Sequence, residues 1–374
     1  MNFSLNEEQL MLQDSVRKFV LAEYGFENRQ KRQRSVPGYA LENWNTMAEL
    51  GWLSLLLQEN YGGFNGGARD LAVVMEEMGR GLIVEPFLAS AVLCSSLLQR
   101  LASEAQKDRW LPQLASGETL MALACWEGSN AFDLRRVSTR AEKCDAGYVL
   151  NGTKAVVLNG AEADWLLVSA NTERGLSVFL LDARQSGVQV HGYPTVDGGR
   201  AAEITFRDVR LPSTALVGAE GMALPGLEYA VDLATLAVCA EALGIMQTLL
   251  EKTVEYSKTR QQFGQPIGRF QALQHRMVDM FMECQQARSI LLMATTSWDD
   301  TVRSEEERRR AVSAAKARIG KAGRLIGQEA VQIHGGIGVT DELDVGHYFK
   351  RLTVICQLFG NSDRHLRRFA DASW

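Results

Sequence analysis

Metal-ligand spacing, disulfide spacing and long apolar runs are all missing from this sequence. Its six cysteines include no Cys-x-x-Cys pair, and its five histidines are equally dispersed, so the pattern predicts no metal site and no disulfide framework. We expect buried thiols in a reducing compartment. No run of roughly 18 apolar residues occurs, the length at which a membrane-spanning helix is expected.

An excess of charge of one sign is also lacking. The 374 residues carry 40 Lys and Arg against 45 Asp and Glu, a formal net charge of -5, and the two signs are interspersed. No basic stripe of the kind that binds nucleic acid is therefore present. The first residues show neither the charged nor the apolar region of a signal peptide. We expect a cytoplasmic protein with no nucleic-acid partner and no membrane partner.

Helical spacing of apolar residues dominates the chain from residue 1 to 118. Asn6 with Gln9 three residues on forms a capping box, the signal that opens a helix. Apolar residues then recur every three or four positions, and glycine or polar residues end each stretch. This block predicts an N-terminal all-α domain.

Between residues 119 and 220 the helical period gives way to short apolar runs separated by turn residues. Runs such as Trp165–Ala170 are rich in aliphatic and aromatic residues, as strands are. Asp145–Gly147, Asn151–Gly152 and Asp197–Gly199 mark turns between or beside such runs. The block predicts a middle domain folded as a small β-barrel or β-sandwich.

Long helical patterns return from residue 221 to 374. The predicted helices cover residues 226–257 and 270–298, a stretch that opens at Ser304, and residues 364–369. Their length and short connections predict a C-terminal four-helix bundle. The fold class predicted for the whole chain is therefore α+β and multidomain.

The first candidate binding segment reads Arg260-Gln-Gln-Phe263-Gly264-Gln-Pro266, followed by Phe270-Gln271. One interpretation is a plain helix end, because Gly and Pro commonly follow a last helical turn. Another is a nucleotide site. The Arg260 guanidinium offers fixed donors to a pyrophosphate, and the Gln271 amide suits adenine or ribose edges.

The second candidate segment is Gln332-Ile-His-Gly335-Gly336-Ile-Gly338, at the predicted end of the third bundle helix. A glycine-rich exit from a helix is a common structural feature and by itself indicates little. Glycines also let the backbone approach a phosphate closely, because they carry no side chain.

Together the two segments resemble the paired signatures of acyl-CoA dehydrogenases, which hold the adenosine diphosphate half of FAD. The order of helical, β and helical-bundle blocks is also that family's architecture. The resemblance implies FAD as cofactor, α,β-desaturation of an acyl-CoA thioester, an electron-transfer flavoprotein as acceptor, and a tetramer in which flavin lies between the β domain of one subunit and the bundle of another. It implies FAD contacts from Arg260, Phe263, Gln271, Gln332, Gly335, Gly336 and Asn361.

The family's catalytic glutamate is missing from both places where it is known to occur. One is 21 residues after Gly338 and reads Phe359, directly before Gly360-Asn361-Ser362, which resembles the family's Gly-Thr-Ser. The other, on the first bundle helix, reads Ala234. Neither side chain accepts a proton, so we assign no catalytic residue.

Three carboxylates remain near these positions in the sequence: Asp232, Glu241 and Asp363. Each is interpreted first as a solvated or hydrogen-bonded structural group. Asp232 also aligns with a commonly acidic family position near bound CoA, which makes it the candidate substrate contact.

The middle domain departs from the family beside the flavin ring. Where members read approximately Thr-Glu-Pro-Gly-x-Gly-Ser-Asp, this chain has Trp126 through Asp133. Where members read Trp-Ile-Thr-Asn-Gly, it has Val156-Val-Leu158-Asn-Gly160. The stacking tryptophan and the hydroxyls that would bond the flavin edge are thus replaced.

In the family, the elements retained here reach a neighbouring subunit's FAD, whereas the elements lost here serve the subunit's own ring site. We therefore hypothesise a subunit of a hetero-oligomer that completes the FAD site of a paralogous catalytic chain. The segment Gly192–Gly199 also resembles small subunits of pimeloyl-CoA dehydrogenase-like and steroid side-chain enzymes. Two alternatives stay open: a self-sufficient homo-oligomeric flavoenzyme with another base or a base-independent reaction, and a non-redox structural or CoA-binding paralogue.

Overall fold

The computed structural model describes residues 4–128 and 132–371, and its chain divides into two compact units. The helical unit comprises Met1–Lys31, Gly67–Ile83 and Thr235–Trp374. The sheet unit comprises Arg32–Gly66 and Val84–Ala234. The domain boundaries predicted after residues 118 and 220 stay a prediction.

Helices, then strands, then helices follow one another along the described residues. The α-helices are α1 (Glu7–Glu23), α2 (Phe26–Arg34), α3 (Leu41–Glu49), α4 (Ala68–Gly81), α5 (Ser95–Leu101), α6 (Glu104–Ala115), α7 (Leu224–Thr259), α8 (Gln271–Asp299), α9 (Glu305–His334), α10 (Val345–Gln357) and α11 (Ser362–Asp371). The strands are β1 (Met121–Ala124), β2 (Arg140–Cys144), β3 (Gly147–Leu158), β4 (Trp165–Thr172), β5 (Gly175–Asp182), β6 (Val188–Pro194), β7 (Arg200–Pro212), β8 (Leu216–Val217), β9 (Gln261–Gln262) and β10 (Gln265–Pro266). A π-helix spans Leu88–Cys94, and short 3-10 helices span Glu59–Tyr61, Ser213–Ala215, Ile267–Arg269 and Gly335–Val339.

In the helical unit, α9 is the helix around which its neighbours pack. It contacts α8, α10 and α11. Alanines such as Ala315, Ala322 and Ala330 lie on its buried face, and small side chains let neighbouring helices approach closely. The predicted capping boxes at Asn6 and Ser304 are confirmed, because each side chain accepts the backbone N–H three residues on.

In the sheet unit, the described strands form an eight-stranded sheet in the order β6-β7-β3-β2-β4-β5-β8, with β1 pairing beside β4. The β1–β4 pair is parallel, whereas β4–β5 and β3–β7 are antiparallel. Leu166, Leu167 and Val168 of β4 are fully buried in succession, so both faces of this strand are covered. The expectation of a helical, β and helical-bundle fold is confirmed.

One local prediction was wrong, and one helix was not predicted. Asn151–Gly152 does not end a strand: β3 continues through it, and its register with β7 shifts between Leu150 and Gly152. Glycine serves a β-bulge as readily as a turn. The bundle also contains α10, which was not predicted. Its run Leu352-Thr-Val-Ile-Cys has the residue types of a strand. Packing of α10 on α9 overrides that preference.

One helix in the described part of the chain, α7, has the length and hydropathy of a membrane span. Of its most apolar 18-residue window, 94% is buried inside the protein. A buried core helix has the same composition, so α7 is weak evidence for a membrane.

A buried ion pair anchors the segment after β1 to the sheet. Lys154 is fully buried, and its Nζ lies 2.9 Å from Glu127 Oε1 and 3.1 Å from Ser169 Oγ. Glu127 also accepts the backbone N–H groups of Ser138 and Thr139 at 2.7 and 3.0 Å. Burial raises the pKa of Glu127, but the bonds from Lys154 and Thr139 outweigh it and hold that pKa at about 2. The Glu127 carboxylate is therefore charged at neutral pH, whereas burial lowers the pKa of Lys154.

We predict that Lys154→Met lowers the free energy of unfolding by about 3–5 kcal/mol, because it leaves the Glu127 carboxylate buried without its counter-charge. Lys143→Met, an exposed lysine on β2, is the matched control and should change stability by less than about 0.5 kcal/mol. Urea unfolding followed by tryptophan fluorescence measures both. Equal effects of the two substitutions would contradict the role of the pair.

Candidate functional site

All seven predicted FAD contacts lie in the helical unit, and so does Phe359. Asp232, Ala234 and the altered ring-side segments lie in the sheet unit. Arg260, Phe263, Gln271, Gln332, Gly335, Gly336 and Asn361 are all exposed. Within the described part of the chain, this exposure leaves the seven residues accessible to a ligand.

The first motif forms a hairpin and not merely a helix end. Strands β9 and β10 pair antiparallel, with Gln262 opposite Gln265. The two residues at the tip, Phe263 and Gly264, have positive φ values of 55° and 77°, as a two-residue type I′ turn requires. The Phe263 side chain is 92% exposed and meets Phe270 edge-on at 6.1 Å. The hairpin thus presents an aromatic ring directly to solvent.

The second motif begins where α9 ends. Gly335 adopts φ 64° and ψ −143°, and its N–H donates to the carbonyls of Gln332 and Val331. L-amino acids with a Cβ rarely adopt this backbone conformation. No atom lies within 4 Å of the position that a Cβ would take at Gly335 or Gly336. The backbone of this turn is therefore open to close approach, as phosphate binding by backbone requires.

A contact between Tyr256 and His334 links the helix ends that carry the two motifs. Neither residue was among the predicted FAD contacts. The ring of Tyr256 stacks on His334, with centroids 4.4 Å apart and planes 26° from parallel. His334 lies directly before Gly335, and the Tyr256 carbonyl accepts the N–H of Arg260. Burial lowers the pKa of His334, and its Nδ1 donates to the Ala330 carbonyl at 2.7 Å. Tyr256 lies one helical turn before Arg260, and this spacing is the sequence signal that could have identified it.

The two positions at which the resemblance implies a glutamate hold Phe359 and Ala234. Phe359 is 4% exposed and has a positive φ of 60°. Glu241 is buried and accepts two bonds from Arg351, at 2.6 and 2.7 Å, so the interpretation as a hydrogen-bonded structural carboxylate fits it. Asp363 is exposed, whereas Asp232 is 1% exposed. Of the three carboxylates, Asp232 alone stays a candidate substrate contact.

The two segments predicted to lie beside the flavin ring bear apolar side chains at Trp126, Val156 and Leu158. Trp126 is 4% exposed, and its carbonyl accepts the N–H of Ala155 at 2.9 Å. Val156 is 36% exposed and has a positive φ of 53°, and Leu158 is half-buried. Residues 129–131 of the altered segment, Ser-Asn-Ala, lie outside the described residues. The side chains at 156 and 158 offer no hydrogen bond to a ligand.

Three family models match almost the entire chain. They are the acyl-CoA dehydrogenase N-terminal domain over residues 6–118, the middle domain over residues 122–209 and the C-terminal domain over residues 227–373. A curated relative, the mitochondrial isovaleryl-CoA dehydrogenase of Pongo abelii, is 30% identical over 359 residues, covering 92% of this chain and 84% of that protein.

Solved structures agree over nearly the full length. The ChsE4-ChsE5 complex from Mycobacterium tuberculosis contains a chain that superposes with a TM-score of 0.90 at 27% identity, covering 99% of this chain and 98% of that one. The FAD complex of PigA has a TM-score of 0.90 at 26% identity, covering 99% and 98%. The expectation of FAD as the family's cofactor is confirmed.

We predict that Gly335→Ala costs about 1–3 kcal/mol of stability, since a Cβ there is incompatible with the observed backbone. Gly336→Ala is the matched control: it has a negative φ and open space around it, so its effect should stay below about 0.5 kcal/mol. Thermal unfolding of the two variants checks the difference. Two unchanged melting temperatures would contradict the assigned conformation of the turn.

Proposed function

This chain belongs to the acyl-CoA dehydrogenase family, and from that premise we propose that it is the subunit of a hetero-oligomer that completes the FAD site of a catalytic partner chain. One observation carries the proposal. The two motifs expected to bind the adenosine diphosphate half of FAD are exposed, whereas Phe359, Val156 and Leu158 occupy positions where the family resemblance implies a base and ring contacts.

The adenosine diphosphate half of FAD fits the helical unit. The exposed Arg260 guanidinium would bind the pyrophosphate through charge-assisted hydrogen bonds, and the open backbone at Gly335 and Gly336 would approach it closely. Gln271 and Gln332 have exposed amides for adenine and ribose edges. Phe263 would pack on the dinucleotide with its exposed ring.

The ring half fits this chain poorly. When bound, FAD supplies the hydride acceptor for oxidation of an acyl-CoA at its α and β carbons. That oxidation also needs a base for the α-proton, and Phe359 and Ala234 supply none. A missing general base costs about 10²–10⁴-fold in rate. We therefore assign proton abstraction to a partner chain that carries a glutamate at the counterpart of Phe359.

The proposed assembly is a tetramer of two paralogous chains that acts on an acyl-CoA in the cytoplasm and passes electrons to an electron-transfer flavoprotein. The ChsE4-ChsE5 complex brings together two differently named chains, which supports this arrangement by analogy. Asp232 remains the proposed contact to the CoA thioester, as a buried carboxylate early in α7.

We predict that the chain expressed alone copurifies with little flavin, because it lacks ring-side contacts. Coexpressed with a paralogous chain that carries the glutamate, it should yield about one FAD per heterodimer. Absorbance at the flavin band against total protein measures both ratios. Near one FAD per chain in the isolated protein, bleached by an acyl-CoA, would establish the self-sufficient enzyme instead, and absence of flavin from both preparations would support the non-redox paralogue.

We predict that Arg260→Ala in the coexpressed complex raises the Kd for FAD about tenfold to a hundredfold, since a hydrogen bond from a charged donor contributes about 1.5–3 kcal/mol. Lys18→Ala is the matched control: it removes one positive charge from an exposed position on α1, and it should leave the Kd unchanged. Fluorescence titration of deflavinated complex with FAD measures each value. An unchanged Kd for the Arg260 variant would remove this residue from the site.

A further inference from the structure

We infer that Lys316 and His365 are positioning residues that hold the turn of residues 358–361, and through it the FAD contact at Asn361. The inference rests on the proposed FAD-linked function. The turn joins α10 to α11 and includes Phe359 in a left-handed conformation, with φ 60°. Residues with a side chain rarely adopt that conformation unless their surroundings impose it. Side chains from α9 and α11 supply those surroundings.

Lys316 completes the C-terminal end of α10. The last carbonyls of a helix have no partner within the helix. Here Leu358 N–H bonds the Val354 carbonyl at 3.0 Å, and Gly360 N–H bonds the Gln357 carbonyl at 3.1 Å. Lys316 Nζ donates to the Ile355 carbonyl at this end of α10. Lys316 is 1% exposed, and burial lowers its pKa.

His365 holds the turn from the other side. Its Nε2 lies 3.1 Å from the Phe359 carbonyl, and its Nδ1 lies 3.3 Å from Ser313 Oγ. Burial, together with the nearby Lys316 and Arg368 charges, lowers the pKa of His365 to about 3. The imidazole is therefore neutral at pH 7. Its Nε2–H donates to the Phe359 carbonyl, and its Nδ1 accepts the Ser313 hydroxyl.

These contacts start from one face of α9. Ser313, Lys316 and Gly320 recur at positions i, i+3 and i+7, which share a helix face. At Gly320, a Cβ would lie 2.5 Å from Ser362 Oγ, and the Gly320 carbonyl accepts the Cys356 thiol at 3.3 Å. Helix α9 therefore fixes both ends of the turn without using the side chain of residue 359.

These contacts fix the position of Asn361, the last residue of the turn. Its Oδ1 accepts the N–H of Arg364 at 3.0 Å and so caps α11. Capping uses only the side-chain oxygen of Asn361. The side-chain amide nitrogen of this exposed residue can therefore donate a hydrogen bond to a ligand. Movement of the turn would displace this donor even with the side chain intact.

The test compares His365→Leu, His365→Gln and Lys316→Met in the coexpressed complex, with Met280→Ala as the control for general loss of stability. Met280 is fully buried in α8 and takes no part in the hydrogen bonds that hold the turn. Two quantities are measured: the Kd for FAD, and backbone hydrogen exchange over residues 358–364 by mass spectrometry. The second needs no flavin and can be measured on the isolated chain.

We expect His365→Leu and Lys316→Met to raise the Kd about tenfold and to accelerate exchange over the turn. In His365→Gln, the side-chain amide nitrogen can replace Nε2 as the donor to the Phe359 carbonyl. This variant should keep a Kd and an exchange rate near those of the wild type. Met280→Ala should lower the melting temperature without either change. Unaltered exchange in His365→Leu, or a shift of equal size in Met280→Ala, would overturn the positioning role. Absence of FAD from the wild-type complex would refute the proposed function alone, because the exchange measurement still decides the role of the two residues.

Discussion

The stack of Tyr256 on His334 is the contact on which the candidate site depends. It joins the end of α7 to the end of α9, and each binding motif begins where one of these helices ends. The lengths of α7 and α9 alone would not fix the hairpin relative to the glycine turn. The Nδ1–H of the buried His334 also donates to the Ala330 carbonyl, which helps to orient the ring. The stack thus links helix ends that carry two motifs about 70 residues apart in sequence.

The same helix, α9, also supports the turn around Phe359. Its face bearing Ser313, Lys316 and Gly320 contacts the elements on both sides of that turn. The hydrogen bonds described for this turn involve backbone carbonyls and not the side chain of residue 359. The turn is therefore compatible with the apolar Phe359 side chain.

The sequence predicts the elements that local rules govern. Capping boxes at Asn6 and Ser304 are confirmed, because the cap interaction spans only three residues. The bulge at Asn151–Gly152 and helix α10 were missed, since each depends on a partner element distant in sequence: β7 for the first, α9 for the second. Residue types at fixed spacing predict the candidate FAD contacts, and these contacts stay a prediction. Lys316 and His365 were not selected, because their roles arise from tertiary contacts that no local pattern encodes. Tyr256 was missed although it lies one helical turn before Arg260.

We propose that this chain binds the adenosine diphosphate half of FAD while another chain holds the ring. A structure of the coexpressed complex with FAD is the decisive measurement. We expect the pyrophosphate within hydrogen-bonding distance of Arg260 and the isoalloxazine ring in the β domain of the partner, next to a glutamate. An isoalloxazine ring packed beside Val156 and Leu158 of this chain, with a carboxylate of this chain facing the α-carbon of an acyl-CoA, would contradict it.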